Sequence, residues 1–199
     1  MKNVNDLPFM AEAKDAIEIL KLDKAKMAQV AGNPAATKWG VFFLVVPAVV
    51  NLILSALTFP SGFGSIMSRY VLWPALIPVL SFIGGLYLIH VAATKLFKAS
   101  GDFWGFFRIA SYSYLIYWLT LIPALLMTVS FFAGGGLGEL IKLVASLWTL
   151  VVAYHVMTDY YKLNQQNAVL ALIIGVVAFV IVLYILGGAL VGSSFRMYY

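Results

Sequence analysis

The chain has no cysteine and only two histidines among its 199 residues, and just 11% of it is charged, where soluble domains carry about 25%. The missing cysteine excludes disulfides, thiolate metal sites, thiol nucleophiles and S-palmitoylation. The scarcity of charge constrains the fold instead. With 63% hydrophobic residues and a mean hydropathy of +0.96, no water-soluble fold can hide this much apolar surface. The charges are unevenly spread: residues 1–38 hold eleven of the 21 (six Lys, five acids), leaving ten for the other 161. That pattern is a polar head on one compact membrane domain. Enzyme signatures are missing too. No H-E-x-x-H, G-x-S-x-G, P-loop or clustered carboxylates occur, so an intramembrane enzyme has little to stand on and no cofactor is expected. The head mixes acids, lysines and apolar residues where a signal peptide would place a basic start and an apolar core, so an uncleaved chain is expected.

What is present is oil in membrane-sized lengths. A hydrocarbon core about 30 Å thick needs about 20 apolar residues in a helix, and five stretches qualify: 39–59, 71–94, 109–132, 140–160 and 168–191. Their breaks carry physical markers: Pro60, Gly62, Gly64 and Arg69 in the first, four charges within Lys95–Arg108, four glycines in Ala133–Glu139, and the polar cluster Tyr161–Asn167. The expected fold is an all-α integral membrane protein, a bundle of five transmembrane helices (39–199) behind a cytosolic head (1–38). Basic residues stay on the cytoplasmic side. With the N-terminus inside, the inner segments hold ten (Lys2, Lys14, Lys21, Lys24, Lys26, Lys38, Lys95, Lys98, Arg108, Lys162) and the outer ones three (Arg69, Lys142, Arg196). The N-terminus is therefore expected in the cytoplasm and the C-terminus in the extracytoplasmic or lumenal space. The net charge of +5 serves orientation, with no nucleic-acid role expected.

In the head, Asn5 or Asp6 can cap a helix, Pro8 suits its first turn, and Phe9, Ala13, Ile17 and Leu20 share a face. An amphipathic helix along the inner membrane surface is expected, in contact with membrane lipids; packing on the cytosolic loops is the alternative. Prolines inside the first three spans (Pro47; Pro74 and Pro78; Pro123) each remove a helical hydrogen bond that a neighbour must replace. Gly188-x-x-x-Gly192 permits close helix packing, within the chain or in a homo-oligomer. Sliding the chain by 65 residues lays Leu86–Lys98 over Val151–Leu163 and matches His90-Val91 with His155-Val156. This slight identity suggests that spans two and three are a distant copy of spans four and five.

The candidate chemistry lies at the inner end of these copies. His155 and Asp159 share a helical face at i and i+4, and both histidines fall about 7 Å inside the expected inner boundary. If the second and fourth helices touch, His90, His155 and Asp159 could hold zinc or iron, or relay a proton. The plainer reading is a wet helix end with tyrosines in the aromatic belt, the two histidines making polar contacts between helices. Asn51, the one carboxamide well inside a span, is expected to bond a neighbouring helix. Glu139 and Lys142 read as an ion pair at the outer boundary.

From "KASGDFWGFFRIASYSYLIYWLTLIPALL" (Lys98–Leu126), with "YLIHVAATKLF" before it and "SLWTLVVAYHVMTDYY" after it, the chain resembles the Yip (Ypt-interacting protein) family, which includes membrane proteins that interact with Rab GTPases. The resemblance covers Trp39–Leu190 and implies five spans with a cytosolic N-terminus. The family's Gly-Tyr pair falls on Ser111-Tyr112, followed by Ser113, with the glycine replaced and no proline until Pro123. The Asp-Leu-Tyr-Gly-Pro signature of eukaryotic members is replaced by Asn33–Trp39, and the short head is similar to prokaryotic relatives. The resemblance implies a non-enzymatic scaffold that organises membrane or recruits a protein partner at the cytosolic face, through its head and the inner loop with Lys95, Lys98, Trp104 and Arg108. A small transporter, channel or lipid-moving protein is the alternative, and an intramembrane metalloenzyme a third.

Five crossings put the two chain ends in different compartments. Tags on both ends of the protein in sealed vesicles are expected to show one protected from protease and one digested; equal behaviour of the two contradicts the odd number of spans.

Overall fold

The computed structural model describes the backbone of residues 8–58, 64–127 and 131–195, and the side chains of residues 8–54, 78–126, 136–182 and Tyr184. Among these residues all regular structure is helical. Two short helices, α1 (Pro8–Leu20) and α2 (Lys24–Gly32), precede α3 (Ala36–Thr58) and α4 (Gly64–Val91); then come α5 (Phe103–Ser113), α6 (Leu121–Met127), α7 (Phe131–His155) and α8 (Gln165–Phe195). Five segments of the described residues are long and apolar enough to cross a bilayer: Ala36–Leu54, Pro78–Leu96, Phe103–Leu126, Gly136–Tyr160 and Gln165–Val182. Their large exposed residues, among them Ile53, Leu80, Leu143, Leu147, Ile173 and Val180, form a surface far more apolar than water tolerates and suited to lipid. The protein is an all-α membrane bundle.

Several boundaries differ from those expected. The head is two helices, because the chain reverses at Leu22 (φ 67°), where Asp23 N–H returns to the Glu18 carbonyl (3.1 Å) and the Asp23 carboxylate caps α2 through Lys26 N–H (3.0 Å). Ala16 and Ile19 of α1 are fully buried and the helix packs on α5, while Ile17 of the expected apolar face is exposed. The glycines of Ala133–Glu139 are helical, part of α7; residues 59–63 and 128–130 lie outside the described residues. The side chains at Gly188 and Gly192 are likewise outside them.

The third span starts at Phe103 and is interrupted: Tyr114–Thr120 is a 3₁₀ segment between α5 and α6. Pro123 has no N–H for the Leu119 carbonyl and crowds the turn before it, which tightens the helix. The tighter winding eclipses residues three apart, so Tyr114 and Tyr117 stack at 4.3 Å with their planes 19° apart. In α3, Pro47 orphans the Phe43 carbonyl four residues earlier. The Trp118 indole replaces the lost donor, at 3.0 Å.

The internal copy is visible in the backbone, in another register. Both α4 and α7 end in a π-helical turn, Ala92–Leu96 and Val156–Tyr160. Each is followed by a lysine in the left-handed conformation, Lys98 (φ 54°) and Lys162 (φ 60°). Each is closed by a bond back six residues, Ala99 N–H to the Ala93 carbonyl and Leu163 N–H to the Met157 carbonyl. These features superpose at an offset of 64. His90 therefore corresponds to Tyr154, and the match of the two histidines dissolves. The copies cross-pack, α4 on α8 and α7 on α6. At the first of these crossings a Cβ on Gly175 would stand 2.7 Å from the Ile89 Cα, so only glycine fits.

The head also packs along the bundle. α1 begins with Phe9 among Trp39, Phe42, Phe43 and Trp118 and ends with the Leu20 carbonyl accepting from the Trp148 indole (3.1 Å). Tryptophans gather where a bilayer meets water, and α1 carries the exposed Lys14 and is followed by the exposed Lys21 (side chain 63% exposed). The end of α1 thus meets α7 at Trp148, seven residues or about 10 Å along the helix before His155.

If Trp118 stands in for the donor that Pro47 lacks, Trp118→Phe leaves a buried carbonyl unpaired and costs about 1–3 kcal/mol. In a Pro47→Ala background, where the backbone can donate again, the same change is expected to cost measurably less. A double-mutant cycle on thermal unfolding in detergent reads the coupling; none means the indole bond is incidental.

Candidate functional site

At the head end of the bundle, Asp102 joins three elements. It is the N-cap of α5, its Oδ1 accepting from Gly105 N–H at 2.9 Å. Its other carboxylate oxygen accepts from the Tyr160 hydroxyl, and its backbone carbonyl from the Tyr161 hydroxyl at 3.2 Å. The Tyr161 oxygen also lies 2.6 Å from His90 Nδ1. The carbonyl can only accept, so satisfying both contacts requires Tyr161 to donate to it and to receive Nδ1–H of His90, which assigns the histidine tautomer. Glycines make the room. A Cβ on Gly101 would sit 2.6 Å from the Tyr161 ring, and one on Gly105 would collide with the Tyr160 hydroxyl. "GDFWG" is therefore a receiver for the Tyr-Tyr pair that ends α7.

Burial opposes ionisation of Asp102, but the bonds from Tyr160 and from the Gly105 and Trp104 amides, with the nearby Arg108 charge, outweigh it and hold the carboxyl below its usual range. Burial first, and the Asp102 carboxylate next, push the Tyr161 phenol far above its usual value. It stays a donor at any ordinary pH.

The structure separates the residues considered as a metal group. His90 faces Tyr161, Phe103 and Tyr87. His155 faces Asp159 at 3.4 Å, on its own helix end, and the other Asp159 oxygen pairs with Lys24 of α2 at 2.9 Å. His155 thus bonds within its helix, and it is Asp159 that makes the link to another element. Among the described residues no three His, Asp or Glu side chains assemble as metal ligands. Asn51 reaches Thr120 at 3.5 Å, a long contact, and Glu139 pairs with Lys142 at 2.8 Å.

Ser111, Tyr112 and Ser113 are fully buried. A Cβ on Gly40 would strike the Ser111 hydroxymethyl group, so position 111 must be small for α3 to approach α5. Tyr112 packs on Phe43 (5.2 Å, 72°) and donates to Glu12 of α1; it anchors the head. The inner-loop residues divide. Arg108 turns inward, binding Thr37 Oγ1 at 2.9 Å and the Ala31 carbonyl at 2.5 Å, where a cation complements the C-terminus of α2. Lys95 and Lys98 are exposed, as are Trp104 (56%) and Leu96 (59%). Sequence reasoning missed the Asp102 knot and Arg108's inward turn, although the helix-capping aspartate between two glycines was a local signal for the first.

Tyr161→Phe strands the His90 donor and the Asp102 carbonyl, at an expected cost of about 1–3 kcal/mol. The Asp102 carboxyl has a folded value below its unfolded one, so its contribution is complete above the carboxylate range and lost as pH falls through the depressed value. Unfolding temperatures of the wild type and Asp102→Asn should differ by a constant amount from pH 7 to 5 and converge below about pH 4. A gap that survives in acid would remove ionised Asp102 from the knot.

Comparison with curated proteins and with solved structures yields no match. A family model described as the Yip1 domain matches residues 19–187, from the last turn of α1 to the middle of α8. The matched segment takes in the Asp102 knot, the buried Ser111-Tyr112 positions and the lysine-bearing turns, and the chain belongs to the Yip1 domain family.

Proposed function

We propose that this Yip-like membrane protein works without catalysis, organising membrane by recruiting a protein partner on the cytosolic side. The observation that carries this reading is the surface around the first π-helical turn. Leu96 and Trp104 are more than half exposed beside the exposed Lys95 and Lys98, at the end of the bundle where the charged head requires water. Exposed apolar side chains at the ends of two spans, rimmed by cations, suit an acidic protein surface with an aromatic-accepting pocket. The Lys-rich head and loops support placing this end in the cytoplasm. The family membership supports the same reading, since it brings no catalytic motif with it.

A second reading, a small transporter or lipid-moving protein, draws on the interrupted third span. Broken helices line pathways in transporters, and here the 3₁₀ segment carries Tyr117, bonded to Ser146 at 2.8 Å, and Thr120, near Asn51. These groups satisfy one another, which favours helix packing over passage.

A photo-crosslinker at position 104 in native membranes is expected to trap a discrete protein, with Tyr184, 83% exposed on α8, as the lipid-facing control. Charge reversal by Lys95→Glu with Lys98→Glu should abolish the adduct. Lipid adducts alone at position 104, or solute flux in liposomes that Asn51→Leu removes, would favour the second reading.

A further inference from the structure

A cavity of about 360 Å³ opens between α2 and the end of α7, lined by Lys24, Met27, His155, Asp159, Tyr160 and Lys162 among others. Lys24 and Asp159 balance each other at 2.9 Å, and the second Asp159 oxygen faces His155. The Tyr160 hydroxyl is committed to Asp102. One charge is left over. Lys162 makes no hydrogen bond or ion pair with any described residue, so the lining carries an unbalanced positive charge beside the apolar Met27 and Val156.

The backbone at Lys162 makes this charge notable. Its φ of 60° lies in the left-handed region, which disfavours residues with a Cβ and is ordinarily given to glycine where a helix ends. The equivalent position of the first copy, Lys98 at φ 54°, repeats the choice. The Leu163 N–H to Met157 carbonyl bond repays the backbone conformation, whereas the exposed Lys162 ammonium has no polar partner among the described residues and is left for a ligand.

We propose that this cavity binds a phosphate-bearing anion of small-molecule size, with Lys162 and Lys24 as its cationic contacts and Met27 and Val156 against its carbon skeleton. The volume lies in the lower range of small-ligand sites. The unpaired Lys162 ammonium suits phosphate as a point charge, and Lys24, paired with Asp159, has further ammonium donors to share with it. The anion could be the headgroup of an acidic phospholipid, since the cavity lies about 10 Å beyond the Trp148 level, or a soluble phosphomonoester. The chemistry recognised is the same. The proposal concerns a different surface from the Lys95–Trp104 patch and does not depend on it.

Native mass spectrometry of the full chain in detergent tests this with phosphatidic acid, phosphatidylcholine and glycerol 3-phosphate as probes. Phosphatidic acid should be retained over phosphatidylcholine if the source is lipid, and glycerol 3-phosphate should bind by itself if it is soluble. Lys162→Gly gives two readouts of opposite sign: retention of the preferred anion falls about tenfold, the size of one charge-assisted bond, while the unfolding temperature rises because glycine relieves the left-handed strain. Lys162→Gln, which breaks no contact within the fold, should lower retention without that rise. Equal retention of both lipids with no binding of glycerol 3-phosphate, or binding unchanged in both variants, overturns the proposal.

Discussion

The head end of this bundle is organised around one residue held by two tyrosines, Tyr160 at the Asp102 carboxylate and Tyr161 at its backbone carbonyl. Asp102 caps α5, accepts the Tyr160 hydroxyl and offers its carbonyl to Tyr161, which in turn fixes His90 on α4. One residue thereby ties the ends of α4 and α7 to the start of α5. It acts together with the Arg108 and Tyr112 bonds of α5 in setting where that helix enters the bundle. The arrangement works because the tyrosines are amphipathic. Their rings fill the spaces left by Gly101 and Gly105, and their hydroxyls satisfy a capping group that already carries a charge.

Around this tie the protein solves the problem of breaking helices where water is scarce. Pro47 and Pro123 both free backbone carbonyls, and the remedy is different each time. The Phe43 carbonyl takes a foreign donor, the Trp118 indole. Below Pro123 the backbone tightens instead, and the Leu119 carbonyl is reached by Leu121 N–H. These two repairs touch, because Trp118 belongs to the 3₁₀ segment that Pro123 enforces. The kink in one span is thus the donor for the kink in another, and Phe9 of the head packs against both Phe43 and Trp118.

The class of fold was legible because hydrophobic length is a one-dimensional signal: twenty apolar residues need no partner to be recognised. The family was legible in the local pattern around Ser111 and Tyr112. Boundaries were not, for definite reasons. The glycine run after Ala133 looks like a loop by propensity, yet a helix in an apolar setting retains its bonds because no water competes for them. Arg108 looked like surface because arginine usually is; only the C-terminus of α2, folded back across α5, gives it buried carbonyl company. The two histidines matched in a sliding comparison because side chains were compared, whereas the copies are related by backbone events, two π turns and two left-handed lysines, that leave almost no trace in composition. Asp159 was correctly singled out as polar, but its partner Lys24 lies 135 positions away, and no sequence period links them.

The same comparison explains why the two copies have drifted apart. α8 is a single uninterrupted helix with Ile173, Val177 and Ile181 turned outward, as a helix against lipid must be. Its counterpart is split into α5, a 3₁₀ segment and α6, and α5 is covered by the head. Covering changes what a helix can carry. Ser111, Tyr112 and Ser113 are polar and fully buried, which hydrocarbon would penalise but which Glu12, Gly40 and backbone carbonyls accommodate. The head therefore covers the third span of one copy, making it an internal helix, and meets the other copy along α7, at Trp148 and Asp159. That leaves Lys162 of the other copy beside a cavity that α2 borders without filling, so the asymmetry that anchors the head also creates the opening next to it.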